Sequence, residues 1–420
     1  MDNSITKHST FEDLLFTLMC ICVYIFNFAT GRILFLSGYM LTNLLLGGFI
    51  VWSLFKSLRY HLMVWNKIYT LAILFVFFGL LSSIGAYSVS DTLAKVRTMF
   101  LVVLLSMSIF KYIVDEDKLD FALNVYVWAG TICAIYLLLN TNIGSDVRIG
   151  RVIGDINLVG ISLAIANTIA LYLFFTDKRK YHIIQIIIMG IVILLTGSRT
   201  AFAIFAVSII LVIYATAFVR KWKFRYVFLA TILIIIAGSI IWHLIMTVPA
   251  LYNSLGIRVV SFLQLQRGER SVINEQSTQT RRTLAKQALA WFEKKPVLGN
   301  GIGSFPMYNA TVLGGKYEFS HCNYTEILSG EGIIGFILYY GIFAYALCVG
   351  LFSKVKSKYN IILIALVIEY IVGDIGLVVY YEKVTWITIA IIAGLIIKIK
   401  DESYQENSNL GYTLMQQDKF

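Results

Sequence analysis

Charge is scarce in this chain: 14% of its 420 residues are Asp, Glu, Lys or Arg, against roughly 25% in soluble domains. Proline is scarcer still, with three residues, so little interrupts a helix. The five cysteines, Cys20, Cys22, Cys133, Cys322 and Cys348, are scattered, and four of them fall inside apolar runs, which excludes a disulfide framework and a thiolate metal site. No internal repeat or low-complexity tract is present. What fills the chain is apolar: 58% of the residues are hydrophobic, gathered in continuous runs of about 20, the length that crosses a bilayer as a helix. A water-soluble fold is excluded, and an all-α polytopic membrane protein is expected.

Runs near 12–29, 33–55, 68–86, 97–114, 119–139 and 156–175, then 182–197, 200–218, 226–246, 330–352, 360–380 and 384–399, predict about twelve transmembrane helices. The first run has acids beside it and no small-residue cleavage site, so it is expected to remain as a span. With both termini cytoplasmic, that side carries 19 Lys and Arg and the opposite short loops carry 7, the asymmetry of the positive-inside rule. The net charge of +11 is therefore read as a topology signal, and nucleic acid is not an expected partner. Four regions follow: a membrane domain of about nine helices over 1–246, one long extracytoplasmic loop over 247–328, three more helices over 329–400, and a cytoplasmic tail over 401–420. Within the loop, RRTLAKQALAWFEKK places Leu284, Ala288, Trp291 and Phe292 on one face of an amphipathic helix that stops at Pro296.

Arginines on the outer side are the first chemical signal. Arg199 sits in LLTGSRTAF, a hinge of a few residues between two apolar runs, where a charge near hydrocarbon needs an anionic partner. Ser198 or Thr200 can cap the helix that begins there, so free N–H groups and the positive helix end face the same place as the guanidinium, an arrangement suited to phosphate. The competing reading has Arg199 snorkelling to headgroups or pairing with an acid. DVRIGRVIGDINLVG adds Arg148 and Arg151, followed by Asn157 at the start of a span; two such arginines can share one anion or belong to a solvated loop. Arg281 continues the apolar stripe of the amphipathic helix, whereas Arg282 falls with Lys286 and Glu293 on its wetter face.

FSHCNYTEILSGEGIIGF is the second signal. His321, the one histidine of the long loop, has no partner at metal-ligand spacing, so zinc is rejected. A lone histidine is usually a polar filler, but a pKa near neutral also suits a general base, with Glu326 or Glu331 as candidates to orient the ring. GNGIGS is a glycine turn rather than a nucleotide loop, because its spacing is GxGxG and no strand precedes it. Glu369 and Asp374 lie inside the eleventh run, where they would form a proton path or neutralise the arginines from below.

Taken together these segments resemble the O-antigen ligase and polymerase superfamily of bacterial envelope glycan enzymes. LLTGSRTAF is similar to its arginine turn, and RRTLAKQALAWFEKKPVLGNGIGSF to the arginine, amphipathic helix and proline-glycine stretch that opens its catalytic region. SHCNYTEILSGEGIIGF is similar to the histidine-asparagine segment that closes it, with Cys322 standing between His321 and Asn323 where many members have the two adjacent; RIGRVIGDINLVG is similar to the earlier arginine-to-asparagine loop. The resemblance implies inverting, metal-independent transfer of a polyprenyl-diphosphate-linked glycan, without cofactor, at the outer face of the bacterial cytoplasmic membrane. It implies diphosphate binding by Arg199 and Arg281 with help from Arg148 or Arg151, and His321 as the base that activates the acceptor hydroxyl. Arg282, Asn157, Asn323, Glu326, Glu331 and Asp374 would support them. The implied partners are lipid-linked oligosaccharide donor and acceptor, membrane lipids, and a chain-length regulator and flippase of the same pathway. A repeat-unit polymerase is favoured by the TGSRTAF and GNGIGSF segments; the alternatives are a ligase that moves the finished glycan to a lipid A core and, in a different class, a flippase or secondary transporter.

The topology is tested by a cysteine at Ser277 in a cysteine-free background. A membrane-impermeant maleimide should label it in intact spheroplasts, and protection there would refute an outer placement of 247–328.

Overall fold

The structure, a computed structural model, describes residues 3–26, 32–33, 36–60, 65–141, 148–150, 153–267, 276–353 and 356–417. Arg151, one of the candidate site residues, lies outside the described residues. Among the described residues the regular structure is helical apart from a ladder of two residues a side, β1 (Arg32–Ile33) against β2 (Leu36–Ser37). The first half carries α1 (Asn3–Phe26), α2 (Gly38–Tyr60), α3 (Lys67–Ser82), α4 (Val89–Asp115), α5 (Leu119–Asn140), α6 (Ile156–Asp177), α7 (Tyr181–Thr196), α8 (Arg199–Val219) and α9 (Phe224–Thr247). A short α10 (Pro249–Leu251) leads through a π-helical turn, Tyr252–Gly256, into α11 (Ile257–Gln266), α12 (Gln276–Phe292) and α13 (Phe305–Thr311). The chain closes with α14 (Asn323–Phe352), α15 (Lys358–Gly373) and α16 (Lys383–Gln417). Each of the twelve apolar runs coincides with a helix, and among the described residues seven helices are long and apolar enough to cross a membrane. The last helix continues to Gln417, through most of the segment read as a tail.

The bundle is organised around α6, 89% of whose apolar window is buried. Its sequence explains this position: Ser162, Ala164, Ala166, Thr168 and Ala170 give it small side chains on two faces, and small residues let neighbouring helices approach closely where lipid offers no hydrophobic drive for association. α5, α7, α8 and α15 all pack on it. α9 is the opposite case, with 6% of its window buried, so its Phe, Leu and Ile side chains face outward. Near the far ends of α1, α2, α4 and α5, basic heads meet carboxylates: Lys56 lies 3.0 Å from Glu12 and 2.5 Å from Glu116, and Lys118 lies 2.8 Å from Asp13.

α14 begins seven residues before the run that predicted it and is broken at Gly332, whose backbone (φ 67°, ψ −162°) is not helical. The glycine turn GNGIGS docks into that break. The backbone N–H groups of Asn300 and Gly301 donate to the carbonyls of Ser329 and Gly330 (both 2.9 Å), and Ile333 N–H donates to the Pro296 carbonyl (2.8 Å). Irregular backbone can sit at membrane depth only where the protein supplies such partners. A Cβ on residue 332 would stand 2.3 Å from the Val297 carbonyl oxygen.

Gly332→Ala should therefore lower the melting temperature of the detergent-purified protein, at a cost of ~1–3 kcal/mol from the backbone conformation before any clash. Gly47→Ala, where a Cβ meets nothing within 4 Å, is the control; equal melting temperatures for the two variants would remove Gly332 as a constraint.

Candidate active site

The turn between α7 and α8 is built for close approach. Gly197 adopts φ 60°, and a Cβ there would lie 2.1 Å from the Ser254 carbonyl oxygen of the π-helical turn. Ser198 caps α8 by accepting from Ala201 N–H, so Arg199 occupies the first helical position, at the positive end of the helix. The tight contact with the π-helical turn brings in Arg258, just beyond it in α11: Arg199 Nη1 donates to the Arg258 carbonyl (3.4 Å), and its Nη2 donates to Thr278 Oγ1 (2.8 Å). The Phe262 ring lies under the guanidinium, 5.2 Å away. π-Helical turns of this kind recur at functional sites.

Two further guanidiniums converge there. Arg148, in the loop before α6, donates through Nε to the Thr196 carbonyl at the end of α7 (2.6 Å), while its buried Nη2 has no partner among the described residues. Arg281 reaches from α12 to the Gly376 carbonyl (3.1 Å). Burial, then the charges of Arg258, Arg281 and Arg199, push Arg148 down to about 10 against the pull of Asp155. The depression thus reflects burial first and the neighbouring positive charges second. The acid that pulls the other way on Arg148 is Asp155, exposed, whose side chain also accepts from the N–H groups of Asn157 and Leu158 at the start of α6.

Beside the cluster lies a cavity of about 710 Å³, with Arg281 on one wall and His321 on another. His321 takes a left-handed backbone conformation (φ 57°), uncommon outside glycine. The segment is held from below: Ser320 N–H donates to Glu326 (2.8 Å), Ser320 Oγ to the Cys322 carbonyl (2.9 Å), and Asn323 N–H to the Asp374 carbonyl (2.8 Å). Burial and then Arg281 hold the imidazole below its usual pKa, while Glu318 and Asp155 oppose them. The ring is thereby kept neutral and able to accept a proton at neutral pH.

Of the residues singled out from sequence, Arg148, Arg199, Arg281 and His321 come together. Arg282 is exposed and is absent from the cavity wall. Asn157 is half-buried at the first turn of α6. Asn323 is buried and structural, donating to Asp374 Oδ2 (2.8 Å) and accepting from Val379 and Tyr380 N–H. Glu326 positions the backbone that presents His321, whereas Glu331 is buried beside the α14 break with neither carboxyl oxygen partnered. Neither acts on the imidazole as Glu318 does. Asp374 also accepts from the Tyr340 hydroxyl (2.9 Å), and Glu369 from Thr168 in the bundle core. Arg258 and Glu318 escaped the sequence reading. Each is an ordinary charged residue in a polar loop, and only the π-helical turn and the fold of 311–321 give it a place.

Residues 184–340 match the family model described as O-antigen ligase. No curated protein matches the chain. The matched span contains Arg199, Arg258, Arg281, Glu318 and His321 and stops short of Arg148 and Asp155. The match covers 157 of the 420 residues, so it shows a likeness to that family over this span.

The charges around His321 set the sign of a titration experiment. Acylation by diethyl pyrocarbonate, followed on the His321 peptide by mass spectrometry, requires neutral imidazole. Its pH midpoint should move upward in Arg281→Gln, which removes a charge disfavouring the imidazolium, and downward in Glu318→Gln, which removes one favouring it. Shifts in the same direction would show that the two charges do not act on this ring.

Proposed function

We propose that the protein is a repeat-unit polymerase that moves a glycan from a polyprenyl diphosphate carrier to a hydroxyl of a second lipid-linked glycan, at the outer face of the bacterial cytoplasmic membrane. The observation that carries this reading is the juxtaposition of four guanidiniums, one with a buried unpartnered Nη2, and a neutral histidine on the wall of the adjoining cavity. A diphosphate is the anion that such a cluster fits, since planar guanidiniums bind phosphate oxygens bidentately and keep their charge when desolvated.

The acceptor hydroxyl oxygen attacks the anomeric carbon of the donor from the face opposite the diphosphate. The new glycosidic bond forms as the carbon–oxygen bond to phosphate breaks, and the leaving diphosphate takes the electron pair. Arg148, Arg199, Arg258 and Arg281 surround the charge that develops there, which substitutes for the role of a metal. The hydroxyl proton passes to a ring nitrogen of His321. The two parts are separable: the arginines govern departure, the histidine governs attack.

The ligase reading shares every step up to the acceptor, so the acceptor decides between them. Purified protein should build polymer from lipid-linked repeat units alone, and a requirement for a lipid A core acceptor would replace polymerase by ligase. His321→Ala should reduce transfer by roughly 10²–10⁴, and Arg199→Lys or Arg281→Lys should lower it strongly while the protein still inserts, because lysine keeps the charge and loses the fork. Wild-type chain length in all three variants would refute the assignment.

A further inference from the structure

We infer that the cavity beside His321 is a groove for an acceptor oligosaccharide of more than one sugar, laid along the polar row Gln279, Thr283 and Gln287 of α12; the inference rests on the transfer reading above. These three residues stand at i, i+4 and i+8 and all line the cavity, so the row extends over about 12 Å of helix rise. That is longer than one pyranose ring. Gln287 lies six residues, about 9 Å, beyond Arg281 along the same helix, so a sugar reaching it is not the one whose hydroxyl reacts.

The chemistry of the row selects its ligand. A glutamine amide donates and accepts, as does a threonine hydroxyl, which matches a chain of sugar hydroxyls. Leu284 and Leu313 add apolar contact and Arg281 and Lys316 positive charge to the same wall, and a sugar chain, with ring faces as well as hydroxyls, uses such contacts beside the polar row. The row is also rigid. The neighbouring apolar stripe of α12, Leu284, Ala288 and Trp291, is buried against Phe305 and Tyr308, with Trp291 stacked on Tyr308 at 4.4 Å. Across the groove, Asn309 donates through Nδ2 to the Lys316 carbonyl (2.7 Å) and accepts from Gly315 N–H at its own carbonyl (3.0 Å), which holds the turn carrying Lys316 and Glu318 over the cavity. Both walls are thus fixed before a ligand arrives, so few side chains lose freedom on binding.

The test uses the full-length protein in detergent and mono-, di- and trisaccharides released by partial hydrolysis of the polymer made by the source strain. Affinity in the wild type should rise with length. Gln287→Ala should weaken the trisaccharide by roughly 3- to 10-fold, the worth of one or two neutral hydrogen bonds, and leave the monosaccharide unchanged, with Thr283→Val giving the same pattern as an independent variant. Equal affinity for all three lengths in the wild type, or an equal loss at every length in both variants, would overturn the groove. Length-dependent binding in a protein that shows no transfer from lipid-linked glycan would uphold the groove and overturn the polymerase reading instead.

Discussion

Like charges held together are the constraint from which the rest of the site follows. Four guanidiniums at one end of a helical bundle repel one another, and burial strips the water that would screen them. Their positions are fixed by carbonyls: Thr196 holds Arg148, Arg258 holds Arg199, and Gly376 holds Arg281. Backbone oxygens fix a guanidinium without neutralising it. Burial and then the positive charge of Arg281 hold the His321 imidazole below its usual pKa. Under the proposed transfer, one arrangement would bind the leaving group and prepare the base.

The bundle supplies this geometry through two departures from regular helix. At the π-helical turn Tyr252–Gly256 the chain folds back against Gly197, which is what sets Arg258 beside Arg199. At Gly332 the break in α14 receives the turn after Pro296, which ties the end of α12 to the helix that starts two residues beyond His321. Arg281 and His321 thus belong to one locally connected unit, clamped at both ends, although forty residues separate them. A shift in the break would displace both groups together, which makes the glycine turn part of the site's positioning although it touches nothing in the cavity.

Much of this was legible in the sequence and some was not, for identifiable reasons. The helices were legible because lipid demands continuous apolar runs, and α12 because its apolar residues repeat with helical period. Arg199 and Arg281 stood out by position: one in a short apolar hinge, the other on the apolar stripe of an amphipathic helix. Arg258 carried no such mark, since its role comes from a π-helical turn that has no periodicity of its own. The orienting acid was sought downstream of His321 because Glu326 and Glu331 are close in sequence, yet the helix that starts at Asn323 carries both into the interior and leaves Glu318, three residues upstream, on the cavity wall. Glycines announced a turn after Pro296; that its N–H groups complete a broken helix is a long-range fact and has no local signature.

The intramembrane acids bear on the transporter alternative. A carrier needs a path through the midplane, and in such proteins ionisable residues line it. Glu369 is bonded to Thr168 and Asp374 to Asn323 and Tyr340, each inside the packed bundle. The void that both of them border is about 10 Å³, room for about one water molecule and none for a solute. The large polar cavity lies instead beside the loop between α12 and α14, against the arginine cluster. Under the proposed transfer the polar cavity beside the arginines would take the glycan, whereas the two acids are packed into the bundle beside a void too small for a sugar.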